Sequence, residues 1–126
     1  MSGASQSSRV ILAVDDSASM RQMVRFTLES AGYRVVQAVD GIEALDFAKT
    51  SAVDLVLTDV NMPRMDGITL VGELRALPTY RLTPVLLLTT ESSMEKKMEG
   101  KKAGATGGIV KPFNPAQLLA TLARVL

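Results

Sequence analysis

The chain contains no cysteine and no histidine. Without cysteine it has no disulfide, no thiol nucleophile and no cysteine-bound zinc site. Without histidine it has no imidazole general base, no imidazole metal ligand and no side chain that forms a phosphohistidine. A metal bound by this chain must therefore be one that prefers oxygen ligands, such as Mg²⁺, Ca²⁺ or Mn²⁺.

An excess of one charge and a long hydrophobic run are also missing. The 126 residues include 14 Lys or Arg and 13 Asp or Glu, for a net charge of +1. This balance argues against nucleic acid or an anionic membrane as a partner, and no apolar run reaches membrane-spanning length. We expect a cytoplasmic protein, with residues 1–8 as a disordered tail and residues 9–126 as one domain.

Short apolar runs indicate strands that are buried on both faces, as in a parallel sheet. A more mixed segment at residues 33–38 suits an edge strand. Helical patterns lie between these segments and after the last one, which predicts an α/β fold with helices on both faces of the sheet. The apolar runs are Val10–Val14, Leu55–Leu57, Val85–Leu88 and Ile109–Val110.

Five helices are expected to alternate with these strands. Asn114 is predicted to cap the fifth helix, with Pro115 at its first position. The charged fourth helix is predicted over residues 92–102, with Met94 and Met98 facing the core. The other helices are predicted over residues 20–31, 40–49 and 68–74.

Polar side chains follow the strands at the point where each strand ends. In an open parallel sheet the binding site lies beyond these carboxyl ends, so the side chains should converge there. Three carboxylates at ~4 Å would cost roughly 4 kcal/mol a pair at an effective dielectric of about 20, which a hard cation such as Mg²⁺ would relieve. The residues are Asp15, Asp16, Asp59, Thr89, Thr90 and Lys111.

These groups are the parts that phosphoryl transfer to a carboxylate requires. Asp59 can act as the nucleophile, a metal can bind the carboxylates, and Lys111 and the Thr89 hydroxyl can contact the transferred group. The sequence therefore favours a phosphorylation switch in which Asp59 accepts a phosphoryl group.

Four motifs extend this interpretation: Ala-Val-Asp15-Asp16-Ser, Leu-Thr-Asp59-Val-Asn61-Met-Pro63 continuing to Met-Asp-Gly67, Leu-Leu-Thr89-Thr90, and Val-Lys111-Pro112-Phe113. Together they resemble the receiver domain of bacterial response regulators, most closely the stand-alone CheY-like chemotaxis regulators. The resemblance covers residues 9–126. It implies a flavodoxin-like, five-stranded parallel sheet in the order 2-1-3-4-5, flanked by five helices.

The resemblance implies a role for each site residue. Asp59 is the phosphoacceptor, and Mg²⁺, or Mn²⁺ in its place, would contact Asp16, Asp59 and the backbone carbonyl of Asn61, with Asp15 acting through water. Thr89 and Lys111 would contact the phosphoryl group, and the Lys111–Pro112 bond is expected to be cis. The residues that would tune dephosphorylation are Asn61, Thr90 and Glu91.

One position departs from the family pattern. Relatives usually carry an aromatic residue three positions before the conserved lysine, and here that switch position is Gly108. The inward swing of a ring cannot operate through a residue that has no side chain. Gly108 should also weaken the fifth strand by roughly 0.5–1 kcal/mol relative to alanine.

The resemblance also implies a function and partners. The chain would be a single-domain response regulator of chemotaxis that catalyses only its own phosphorylation and dephosphorylation. A CheA-like histidine kinase would supply the phosphoryl group. A flagellar motor switch protein or other output partner would bind the face formed by helix 4, strand 5 and helix 5. A monomer that binds neither nucleic acid nor membrane is expected.

Other interpretations remain open at the level of the sequence. The chain can be a phosphorelay intermediate outside chemotaxis, or a receiver from a larger regulator. A phosphatase of the haloacid dehalogenase type would need an aspartate two residues after its nucleophile, where this chain has Asn61. A flavodoxin-like carrier of nucleotide or flavin would need a phosphate-binding loop where Asp15 and Asp16 lie.

Overall fold

A computed structural model describes residues 9–90 and 94–126. The expected tail at residues 1–8 and the tuning residue Glu91 lie outside the described residues. Five parallel strands form one sheet in the order β2-β1-β3-β4-β5, which confirms the predicted fold. The strands are β1 (Val10–Val14), β2 (Arg34–Ala38), β3 (Leu55–Asp59), β4 (Val85–Thr89) and β5 (Gly107–Val110).

Five α-helices and one 3₁₀ turn accompany the strands within the described residues; four of the helices lie between strands and the fifth follows β5. Side chains cap several helix starts, because an oxygen just before the helix can accept an otherwise unpaired backbone N–H. Asn114 caps the last helix as predicted, with Pro115 in its first turn. The helices are α1 (Ala18–Ser30), α2 (Gly41–Thr50), α3 (Gly67–Arg75), α4 (Met94–Ala103) and α5 (Pro115–Val125), and the 3₁₀ turn is Pro78–Tyr80.

The sheet separates two hydrophobic layers, because successive side chains of a strand point to opposite faces. In β1, Leu12 and Val14 join the layer that includes α2 and α3. Ile11 and Ala13 join the layer that includes α1 and α5. Burial on both faces explains why the inner strands read as continuous apolar runs.

The prediction that Met98 faces the core is wrong. Its side chain is 63% exposed, whereas Gly100 in the same helix is buried. A Cβ at Gly100 would collide with the side chain of Leu87 in β4, so α4 approaches the sheet through its glycine. Residues two apart on a helix point about 200° apart, which turns Met98 outward. The side chain of Met94 lies outside the described residues.

Candidate functional site

The three predicted carboxylates meet at the carboxyl edge of the sheet. Val14 at the end of β1 lies opposite Thr58 in β3, which places Asp15 beside Asp59. Asp16 completes a cluster whose carboxylate oxygens lie within 4.8 Å of one another. Asp15 and Asp59 are only 3% and 9% exposed, whereas Asp16 is exposed to solvent.

Lys111 reaches this cluster from the edge strand β5. The last pair of the β4–β5 ladder joins Thr89 to Val110, and the Lys111 N–H donates to the Thr89 carbonyl at 2.6 Å. The ammonium Nζ then lies 3.0 Å from Asp59 Oδ1 and 3.5 Å from Asp15 Oδ2. The Lys111–Pro112 bond is cis, as expected from the resemblance.

Burial and the Lys111 cation act in opposite directions on the pKa of Asp59. Burial raises the pKa of Asp59, and the negative charge of Asp15 adds to that effect. The hydrogen bond from Lys111 and the N–H of Val60, which donates to Asp59 Oδ1 at 2.9 Å, lower it without cancelling the rise. Burial alone would lower the pKa of Lys111, but the hydrogen bond and charge of Asp59 outweigh it and raise that pKa.

The donor set fits a hard divalent cation. Asp15 Oδ2 is buried and accepts no hydrogen bond from the described residues, although the Lys111 ammonium lies nearby. Asp15 Oδ1 is already used, since the Ser17 N–H donates to it at 2.9 Å. A buried carboxylate oxygen that accepts no hydrogen bond, set among three acidic groups, favours oxygen-coordinated Mg²⁺.

Three of the remaining predicted residues lie near this edge with different exposures. Thr89 ends β4 and is 4% exposed, and the next residue, Thr90, is exposed. Asn61 is exposed in the loop that follows β3. Gly108 pairs with Leu87 in the middle of the sheet edge, away from the carboxylates.

Sequence reasoning missed an ion pair that connects two loops at this end of the sheet. The Arg64 guanidinium donates to both carboxylate oxygens of Asp40, from Nε at 2.7 Å and from Nη2 at 3.1 Å. Arg64 has a left-handed φ of 68°, and Asp40 caps α2 by accepting from the Glu43 N–H at 2.9 Å. No spacing rule relates positions 40 and 64, because only the folded loops bring them together.

A second missed contact supports the turn after β1. The Arg21 Nη1 donates to the backbone carbonyl of Asp15 at 2.7 Å, and its Nε donates to Gln37 Oε1 at 3.2 Å. An arginine four residues after the helix-capping Ser17 is a common surface feature, so the sequence alone carried no signal for this role.

Comparison with known proteins agrees with this geometry. The profile of the response regulator receiver domain matches residues 11–123. The chemotaxis protein CheY-3 of Vibrio cholerae is 41% identical over 116 residues, covering 91% of this chain and 89% of the relative. The solved structure of the chemotaxis response regulator CheY4 of Vibrio cholerae has a TM-score of 0.90 and 55% identity, covering 94% of this chain and 99% of that one.

A second similar structure carries a metal. It is the receiver domain of the sensor histidine kinase PA1611 of Pseudomonas aeruginosa, with a magnesium ion coordinated in its active-site cleft. Its TM-score is 0.87 at 32% identity, covering 93% of this chain and 96% of that one. No helix within the described residues is long and apolar enough to cross a membrane. On its sequence, sheet order and acidic site, the chain belongs to the response regulator receiver domain family.

Proposed function

We propose that this protein is a phosphorylation switch in which Asp59 accepts a phosphoryl group. The observation that carries the proposal is the position of Asp59. Its carboxylate shares a cluster with Asp15 and Asp16, and its Oδ1 lies 3.0 Å from the Lys111 ammonium. A buried carboxylate can act as the nucleophile, and the cation held beside it offsets the negative charge that the transferred phosphoryl group brings.

The transfer forms one bond and breaks one bond. A carboxylate oxygen of Asp59 attacks phosphorus, and the phosphorus–nitrogen bond of a phosphohistidine breaks, with the electron pair leaving on the imidazole nitrogen. The donor histidine must belong to a partner, since this chain contains none. Lys111 and the Thr89 hydroxyl are the groups that would contact the phosphoryl oxygens.

Mg²⁺ is the proposed cofactor, with Mn²⁺ as a substitute. Asp16, Asp59 and the backbone carbonyl of Asn61 would hold it directly, and Asp15 would act through water. Bound there, the ion would offset the charge of the carboxylates and of the phosphoryl oxygens. The magnesium in the cleft of the PA1611 receiver supports this assignment by analogy.

The proposed physiological setting is chemotaxis, because the similar proteins above are named chemotaxis proteins. A histidine kinase would act upstream, and a flagellar motor switch or other output protein would bind the face of α4, β5 and α5. The receiver domain would comprise residues 9–126. Asn61, Thr90 and Glu91 would tune the lifetime of the phosphoryl group.

The test is incubation of the purified protein with Mg²⁺ and acetyl phosphate, followed by intact-mass and acid-lability analysis. We expect one phosphoryl group on the wild type and none on Asp59→Asn. Asp46→Asn is the matched control, since Asp46 is an exposed carboxylate of α2, and it should be labelled like the wild type. Equal labelling of Asp59→Asn, or no labelling of the wild type, would refute the assignment.

The partner proposal is tested separately with beryllofluoride, which mimics an aspartyl phosphate. A chemotaxis kinase should transfer phosphate to the wild type within minutes, and beryllofluoride should change which proteins the chain binds. Normal labelling by acetyl phosphate without transfer from that kinase would place the receiver in another phosphorelay.

A further inference from the structure

A cavity of about 230 Å³ lies between α4 and β5, away from the acidic cluster. We name it the β5 cavity. Leu87 and Ala105 contribute apolar side chains to its lining, and Gly107 and Gly108 contribute bare backbone. Met98 forms part of its wall, and thioether side chains adapt readily to different apolar ligands.

The space beside Gly108 is open because the side chain is missing, and the backbone does not require glycine there. The φ of Gly108 is outside the left-handed range, in contrast to Gly32 and Gly104. A Cβ built at Gly108 would meet the Leu87 carbonyl oxygen at 3.4 Å and Lys97 Cε at 3.7 Å, both ordinary contacts. The chain therefore leaves room that a side chain would occupy without strain.

Two lysine side chains form part of the wall of this apolar space. Lys97 and Lys101 line the cavity and lie one helical turn apart on α4, where like charges repel. Within residues 9–90 and 94–126 neither forms an ion pair. An apolar cavity with two unpaired cations at its wall is complementary to a ligand that is apolar at one end and anionic at the other.

The size of the cavity limits how large the apolar part of the ligand can be. An engineered apolar cavity of about 150 Å³ is large enough to bind benzene, so a cavity of about 230 Å³ can hold one ring or two fused rings. A peptide helix would need a longer apolar surface, but the outer face of α4 beside the cavity is charged. Its exposed residues there include Glu95, Lys96, Glu99 and Lys102.

We propose that the β5 cavity is a binding site for a small planar aromatic carboxylate. Its ring would pack against Leu87, Met98 and the backbone of Gly108, and its carboxylate would contact the ammonium groups of Lys97 and Lys101. The site is separate from Asp59, so the proposal does not depend on phosphorylation.

The test titrates indole-3-acetate into ¹⁵N-labelled protein and follows the amide signals of Gly107 and Gly108 by NMR. We expect saturable shifts at millimolar concentrations or below, since a fragment of this size gains limited binding energy. Acetate, which has no ring, and indole, which has no charge, serve as probes of the two halves of the site. Both should bind more weakly than indole-3-acetate.

Variants separate the cavity from non-specific association. Gly108→Trp should fill the space and lose about tenfold or more in affinity, whereas Gly108→Ala should stay within about twofold of the wild type. Changing Lys97 and Lys101 together to glutamine should weaken indole-3-acetate but not indole. Gly108→Leu repeats the test with a smaller side chain if Gly108→Trp fails to fold.

Three results would overturn the proposal. The first is that the NMR shifts do not saturate. The second is that correctly folded Gly108→Trp and Gly108→Leu bind indole-3-acetate as tightly as the wild type. The third is that the wild type binds an acidic tryptophan-containing peptide but does not bind indole-3-acetate. Labelling by acetyl phosphate, measured on the same samples, reports on Asp59 independently of each of these results.

Discussion

Replacing Gly67 with alanine tests how closely the helix after the site must approach the strand that carries Asp59. Gly67 begins α3, and its N–H donates to the Val60 carbonyl at 2.8 Å. A Cβ there would lie far inside van der Waals contact of the Asp59 carbonyl oxygen and 3.1 Å from Val60 Cα. These are backbone atoms that cannot rotate aside, so α3 would have to move away from β3.

The expected cost is large for a single methyl group. Overpacking a well-packed interior typically costs about 1–3 kcal/mol, and a collision with backbone belongs at the upper end of that range. For a chain of 126 residues, a loss of about 3 kcal/mol lowers the melting temperature by roughly 10 °C. The loop between Asp59 and Gly67 carries Asn61, whose carbonyl is a proposed Mg²⁺ ligand, so displacement of the loop should also weaken Mg²⁺ binding at the proposed site.

Gly72→Ala is the matched control within the same helix. Gly72 is exposed, and a Cβ at that position would meet nothing within 4 Å. Alanine has the higher helix propensity, so this variant should be more stable than the wild type by about 0.5–1 kcal/mol. The two identical substitutions should therefore change stability in opposite directions.

Urea unfolding measures both variants, and Mg²⁺ titration followed by NMR of the loop amides measures the effect on the site. The reasoning fails if Gly67→Ala stays within about 0.5 kcal/mol of the wild type, or if both variants shift stability in the same direction. Unchanged Mg²⁺ affinity together with a large loss of stability would refute only the link between the loop and the metal site.

Two further predictions concern contacts outside the acidic cluster. Tyr80 is 1% exposed, and its hydroxyl oxygen lies 2.6 and 2.8 Å from two backbone carbonyl oxygens, to which its single proton can donate. Tyr80→Phe should therefore lose about 1–2 kcal/mol in urea unfolding without opening a cavity; an unchanged midpoint would contradict the importance of that hydroxyl. The hydrogen bond from Arg64, followed by that from the Glu43 N–H, holds the pKa of Asp40 below its usual range. A lowered folded-state pKa gives stability that is present above the unfolded pKa of about 3.9 and is lost as the pH falls through the folded value. Arg64→Gln should therefore raise the pKa of Asp40 in an NMR titration and reduce the stability that the protein loses as the pH falls. The exposed-site control Arg81→Gln should leave the pKa of Asp40 unchanged. Equal pKa values of Asp40 in the two variants would count against the ion pair.

The main features of the site could be predicted because they follow from the topology. Short, continuous apolar runs identify inner strands of a parallel sheet, and the carboxyl ends of such strands share one edge. The residues that follow them must meet, wherever they lie in the sequence. Asp59 and Lys111 are 52 positions apart, yet the register of neighbouring strands brings them to 3.0 Å.

Features that depend on loop geometry could not be predicted in this way. The bidentate pair of Arg64 and Asp40 requires a left-handed residue in one loop and a helix cap in another. The outward direction of Met98 depends on which side of α4 the sheet can approach most closely. A periodic pattern identifies helical spacing, but it does not show that Gly100 forms the contact with β4.

Strand β5 connects the site to the β5 cavity. Gly108 lies three residues before Lys111 on a rise of about 3.3 Å per residue, so roughly 10 Å of a single strand separates them. A ligand against Gly108 and a phosphoryl group beside Lys111 would therefore act on the same short strand from two ends. If a ligand at Gly108 changes the equilibrium for phosphorylation of Asp59, thermodynamic linkage requires phosphorylation to change the affinity for that ligand by the same factor. Such coupling needs no aromatic side chain at position 108, because the bound ring would supply the group that glycine lacks.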